Sequence, residues 1–237
     1  MLLPGMMCDA RLWGPQLAAF SPRRAVQVAP ITGGERMSAI AEQVIAGAPE
    51  RFALAGLSMG GIVAMEVYRR IPERITRIAL LDTNPLAETP AVAAAREPQI
   101  VAARASRLDQ VMQEEMKPNY LAPGQNRADV LDLVMDMARN LGPDVFVAQS
   151  RALQRRPDQQ AVLRRISVPA LVLCGEHDVL CPVRRHEFMA DLIPHATLTL
   201  IPDAGHLPTL EQPAATTAAL QAWLDQDHTG GRTTAHA

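Results

Sequence analysis

The stretch Arg51-Phe52-Ala53-Leu54-Ala55-Gly56-Leu57-Ser58-Met59-Gly60-Gly61-Ile62-Val63-Ala64 decides the fold. Its opening residues form a short apolar run behind Ala48-Pro49, which reads as a buried strand. Residues 61–70 are mostly apolar and stop at Pro72, which reads as a helix. Between the two lies Gly56-Leu57-Ser58-Met59-Gly60, a G-x-S-x-G turn. A serine on such a sharp strand-to-helix turn is pushed out above the sheet. The small flanking glycines let strand and helix pass closely, and the helix N-terminus below favours developing negative charge.

Strand and helix patterns alternate on both sides of this turn, which argues a mostly parallel sheet with helices on both faces. Working outward, strands are expected at residues 1–3, 25–28, 51–55, 75–81, 170–174 and 197–201, giving about six in all. Ser38 is placed to cap a helix over residues 39–48, and a last helix is expected over 214–227. The alternation breaks between Pro85 and Ile166, an Ala-, Met-, Arg- and Leu-rich block that reads as helical. Its prolines (Pro90, Pro98, Pro118, Pro123, Pro143, Pro157) suggest several short helices. The expected division is a core of residues 1–84 and 167–227, a helical cap or lid of residues 85–166, and a flexible tail of residues 228–237. A lid there would lie over the C-terminal edge of the sheet, where ligands of open parallel sheets bind.

With 237 residues the chain is long enough for one sizeable α/β domain with an insertion. A net charge of −2 with no basic stripe argues against nucleic acid or an anionic membrane surface as partner. No apolar run approaches the roughly 18 residues of a membrane span, and no signal-peptide pattern opens the chain. Cys8, Cys174 and Cys181 form neither a paired framework nor a metal-like spacing, so a reducing cytoplasm is expected and the thiols read as small buried hydrophobes. Aromatics make up 3% against 11 methionines, so any substrate pocket is expected to be lined by adaptable aliphatic side chains.

A serine hydroxyl needs a base within hydrogen-bond reach, itself oriented by an acid, and this kind of turn predicts the order Ser, acid, His. Of six histidines, His228 and His236 lie in the expected tail, and His186 and His195 fall in or after a helix pattern, where surface positions are expected. His177 precedes the acid candidate. His206, in Pro202-Asp203-Ala204-Gly205-His206 directly after a strand, has the right order and place. Asp178, in Gly175-Glu176-His177-Asp178 after the preceding strand, is the acid, with Glu176 and Asp82 as rivals. Asp203 reads as a turn residue. An oxyanion hole requires two backbone N–H groups. The expected donors are Met59, just after Ser58, and Met6, in the loop after the first strand.

Together these segments resemble the α/β-hydrolase fold, over residues 2–224. Leu2-Leu3-Pro4-Gly5-Met6 with Trp13 resembles the family's oxyanion loop, although Pro4 stands where a histidine is usual. Ser58 sits in its nucleophile elbow, Gly175-Glu176-His177-Asp178 resembles its acid loop, and Ala204-Gly205-His206 with Glu211 and Pro213 its histidine loop. The resemblance implies a triad of Ser58, Asp178 and His206, with no cofactor and no metal. It also implies that the family's first two strands are missing, which leaves residues 26–28 as a sheet edge, covered by a loop or used in self-association as a homodimer. The expected reaction is hydrolysis of a small carboxylic ester, thioester or lactone. Carbon–carbon bond hydrolases and acyltransferases share the triad, and the fold also serves non-enzymatic small-molecule receptors.

Overall fold

A computed structural model describes residues 1–116, 119–124 and 126–226. The tail expected at residues 228–237, with His228 and His236, lies outside them, as does the end of the last expected helix. Five strands form one all-parallel sheet: β1 (Leu2–Leu3), β2 (Phe52–Leu57), β3 (Ile75–Leu81), β4 (Ala170–Gly175) and β5 (Ala196–Ile201), side by side in that order. The middle strands are near-continuous apolar runs because helices cover them on both faces.

The strand expected at residues 25–28 is reduced to a single bridge, Leu2 to Val28. Its only neighbour explains this. β1 is two residues long, ended by Pro4, which has no N–H to offer a ladder. Leu2 N–H donates to Gln27 O at 2.8 Å and Ala29 N–H to Leu2 O at 3.1 Å, which is all the pairing a two-residue partner supports. Among the described residues the sheet therefore has five strands instead of about six. The chain moves outward from β1 to Val28 and then back across β1 to β2, so the strand order reverses at β1. The loops after β1 and β2 meet at that reversal, the kind of place where open α/β sheets bind ligands.

The helices follow from their apolar faces. On one face, α2 (Met37–Ala46) packs on α3 (Met59–Arg70), which meets α7 (Gln160–Leu163), which in turn meets α8 (Val183–Leu192). On the other, α10 (Pro213–Leu224) lies across β3 to β5 and against α1 (Gly14–Phe20). α2 starts at Met37, so Ser38 lies in its first turn and is not its cap; no side chain caps this helix.

Between β3 and α7 come α4 (Pro90–Arg104), α5 (Leu108–Gln110), a π-helical turn (Val111–Met116) and α6 (Arg127–Gln154). Thr89 caps α4 by accepting from Val92 N–H, and Pro90 occupies its first turn. Pro98 was expected to end a helix but sits inside α4. Ala94, whose carbonyl loses its usual partner to Pro98, is exposed, so that carbonyl is not stranded in the core. Gly142 (φ 80°) does break α6, just ahead of Pro143. α4 and α6 are joined by Gln154, whose Nε2 donates to Ala93 O at 2.7 Å, and by the Arg151–Glu97 ion pair. Among the described residues no helix is long and apolar enough to cross a membrane.

The start of α3 is pressed onto β1. A methyl group on Gly60 would stand 2.3 Å from Leu3 O and 2.5 Å from Pro4 O, both rigid main chain. On Gly14 it would meet nothing within 4 Å. Gly60→Ala is thus expected to lower Tm by about 5 °C or more through overpacking, whereas Gly14→Ala leaves it within about 2 °C. Thermal unfolding of the two variants checks this; equal tolerance would show that the crossing can relax.

Candidate active site

Ser58 ends β2 with φ 54° and ψ −117°, a strained conformation for a residue with a side chain. It is held there from several sides. Its N–H donates to Leu81 O at 2.9 Å, and its carbonyl accepts from Gly61 and Ile62 N–H and from the Thr83 hydroxyl at 2.7 Å. The Ser58 side chain points at the histidine loop, with Oγ 2.8 Å from His206 Nε2. His206 Nδ1 lies 2.8 Å from Asp178 Oδ2. Asp178 can only accept there, so Nδ1 carries the proton and Nε2 is left to accept the serine proton. The three residues come from loops after β2, β4 and β5.

Asp178 and His206 are 3% and 4% exposed, so their pairing is screened little by water. Asp178 Oδ1 also accepts from Leu180 N–H (2.8 Å) and Cys181 N–H (2.9 Å). Burial raises the proton affinity of this carboxyl, but His206 and those two N–H donors outweigh it and hold it below the usual carboxylate range. Of the rival acids, Glu176 is exposed, and Asp82 is buried behind Asp178 instead of facing His206. Asp203 is exposed in a left-handed turn residue (φ 54°).

Among the described residues neither Met6 N–H nor Met59 N–H has a protein acceptor, and Gly5, next to Met6, lies against Ser58, where an added methyl would stand 3.5 Å from its Cβ. The Met6 loop is anchored by a residue that sequence reasoning missed. Gln149 of α6, fully buried, accepts from Met7 N–H at 2.9 Å and donates to Ile31 O at 3.2 Å. Arg96 of α4 was also missed: two of its nitrogens bind buried Glu88, and Nη1 reaches within 4.0 Å of Met6 Sδ. Glu211, placed with the histidine loop by the sequence, braces that loop. Its carboxylate accepts from Ala122, Gly205 and Leu207 N–H at 2.8–2.9 Å, and Tyr120 O accepts from His206 N–H at 2.6 Å. The insertion is thereby tied to the histidine loop.

Two groups of potential metal ligands share this region, Asp178 with Cys181 and His206, and Asp82 with Cys174 and Asp178. Their donors are poorly suited to an ion. Asp178 and His206 are spent on each other, and burial pushes the Cys174 and Cys181 thiols well up. Cys8 is likewise buried, its thiol raised by burial and by Asp9 to about 12.

His186, expected at the surface, is fully buried. Its place is set by a main-chain need: Thr83 N–H, at the end of β3, finds no other acceptor and donates to His186 Nε2 at 3.0 Å. Burial lowers its pKa from 6.5 to about 4, so it is neutral at pH 7. The unfolded chain binds this proton below about 6.5, the folded chain only below about 4, so stability falls as pH drops through that window. The loss attributable to His186 is about 3 kcal/mol. His186→Gln, which keeps an acceptor but cannot titrate, is expected to lose less stability than wild type between pH 7 and pH 4.5 in urea unfolding. Parallel losses would show that His186 is not the titrating group.

Comparison with known proteins places this geometry in context. The chain is 25% identical over 229 residues to a pimeloyl-(acyl-carrier protein) methyl ester esterase of Pectobacterium carotovorum, covering 91% of this chain and 90% of that protein. It is 27% identical over 197 residues to the same-named enzyme of Aromatoleum aromaticum, covering 76% of each. Among solved structures it superposes on a thermophilic esterase from Thermogutta terrifontis with a TM-score of 0.87 at 29% identity, covering 96% of this chain and 89% of that one. An enol-lactonase from Burkholderia xenovorans shares the fold with a TM-score of 0.83 at 23% identity, covering 95% and 90%. Residues 2–220 match the alpha/beta hydrolase family, to which this chain belongs.

Proposed function

We propose that the protein is a serine hydrolase that cleaves a small carboxylic ester, thioester or lactone through an acyl-enzyme. The observation that carries the reading is the unbroken chain of hydrogen bonds from Ser58 Oγ to His206 to Asp178, each 2.8 Å long. The esterase names of its relatives support the same bond type.

In this reading Ser58 Oγ attacks the substrate carbonyl carbon as His206 Nε2 takes its proton. Asp178 stabilises the imidazolium that forms. The negative charge on the carbonyl oxygen is met by Met59 and Met6 N–H groups, each such donor being worth about 3 kcal/mol in the transition state. Collapse expels the leaving oxygen or sulfur, which takes the proton from His206. Water, deprotonated by His206, then attacks the acyl-enzyme; the acid leaves and Ser58 regains its hydrogen. Because the oxyanion donors are main-chain, Met6→Leu and Met59→Leu are expected to cost far less than Ser58→Ala.

The test is a fluorophosphonate probe followed by p-nitrophenyl esters from acetate to octanoate and methyl esters of pimelic acid, the last suggested by the relatives' names. Wild type is expected to label and turn over, and Ser58→Ala to do neither, with kcat/KM lower by at least about a thousandfold. Wild-type protein that neither labels nor turns over any of these esters would overturn the reading.

A further inference from the structure

Asp82 is the most deeply buried carboxyl of the site and the reaction as drawn does not use it. It follows β3 directly in the left-handed region (φ 43°), a conformation Asp tolerates better than most residues but that still costs free energy. The chain holds it there firmly: Asp82 N–H stays in the ladder, donating to Leu173 O at 2.9 Å, and the next N–H is bound by His186. The carboxyl is wholly excluded from solvent. Oδ1 accepts from Gly175 N–H at 2.9 Å. Oδ2 is buried and finds no donor among the described residues. Beside the Asp82 carboxyl lies another carboxylate: an oxygen of Asp82 and one of Asp178 lie within 4.8 Å of each other and of Cys174 Sγ.

Two buried carboxylates this close do not both ionise. Asp178 is the one that must be charged, because its oxygens already accept from His206, Leu180 and Cys181. The proton therefore belongs to Asp82. We propose that Asp82 is a protonated carboxylic acid whose Oδ2–H donates to the Asp178 carboxylate, making Asp82 a positioning residue for the acid that orients His206. The other titratable groups around it agree. Cys174 of β4 and Cys181 of the acid loop are neutral thiols, His186 of α8 is neutral, Glu211 adds negative charge from beyond the histidine loop, and His206 is already paired with Asp178. Burial first, and the charge of Asp178 second, push the Asp82 carboxyl well above the usual range.

The hydrogen bond fits a need of the site. With one donor more, Asp178, whose side chain is wholly buried, keeps its charge and orientation. The effect on turnover rests on the reading of Ser58, His206 and Asp178 as the reacting chain; the protonation state does not.

The experiment compares wild type, Asp82→Asn and Asp82→Ala. Infrared difference spectra at pH 7 are expected to contain the C=O stretch of a buried protonated carboxylic acid in wild type and to lack it in Asp82→Asn. Asparagine still accepts from Gly175 N–H and donates to Asp178, so its kcat is expected within about threefold of wild type, with an unchanged pH profile. Alanine removes the donor, and kcat is expected to fall about tenfold or more with KM nearly constant, the worth of one hydrogen bond to a charged group. Absence of the acid band in wild type would overturn the proposal whether or not the protein turns over esters. So would an asparagine variant as slow as alanine, or, should alanine fail to fold, one slowed more than tenfold.

Discussion

The site depends on how closely the first turn of α3 can approach the end of β1. With no side chain at Gly60, the helix start lies against the Leu3 and Pro4 carbonyls, and with none at Gly56 the strand passes under the Gly60 carbonyl. That contact sets the loop after β1 against the turn that carries Ser58. A second crossing of the same kind lies across the sheet edge, where Gly175 comes so near Gly205 that an added methyl would stand 2.0 Å from its carbonyl oxygen. It sets the acid loop against the histidine loop. The Ser58–His206 hydrogen bond joins the two crossings, so the chemistry sits on two main-chain contacts and inherits their stiffness.

Beneath that contact lies a layer of buried polar side chains whose partners are mostly main-chain groups. Asp178, Glu211 and His186 accept from backbone N–H groups, Gln149 both accepts and donates, and Thr83 supports the Ser58 carbonyl. A buried polar group left unpaired is costly, and one fully paired fixes a single arrangement. These residues therefore act less as sources of net stability than as a gauge for the positions of three loops.

The legible parts of the sequence were those whose cause is local. The turn at Ser58 shows itself because a strand pattern, glycines and a helix pattern meet within a few residues, and the places of Asp178 and His206 follow from strand ends and chain order. What was misread has its cause elsewhere in the chain. Residues 25–28 carry a strand-like pattern, but how much of it pairs is decided by Pro4, which truncates the only neighbour. His186 lies in a polar helix, and only an unpartnered N–H at Thr83 draws it inside. Gln149 bonds residues 142 and 118 positions away, so no spacing rule could have singled it out. Pro98 looked like a stop, yet it lies on the exposed face of α4, where the freed Ala94 carbonyl is not buried.

The ties between the insertion and the histidine loop carry a mechanical consequence. Tyr120 and Ala122 are bound to His206 and Glu211 through main-chain atoms, and the absence of a side chain at Gly205 lets the two segments touch. This side of the insertion cannot swing away without dragging the imidazole off Ser58. The start of α6 is bound in the same way, Asn126 Nδ2 donating to Glu211 O at 3.2 Å, so the insertion grips the histidine loop at two places.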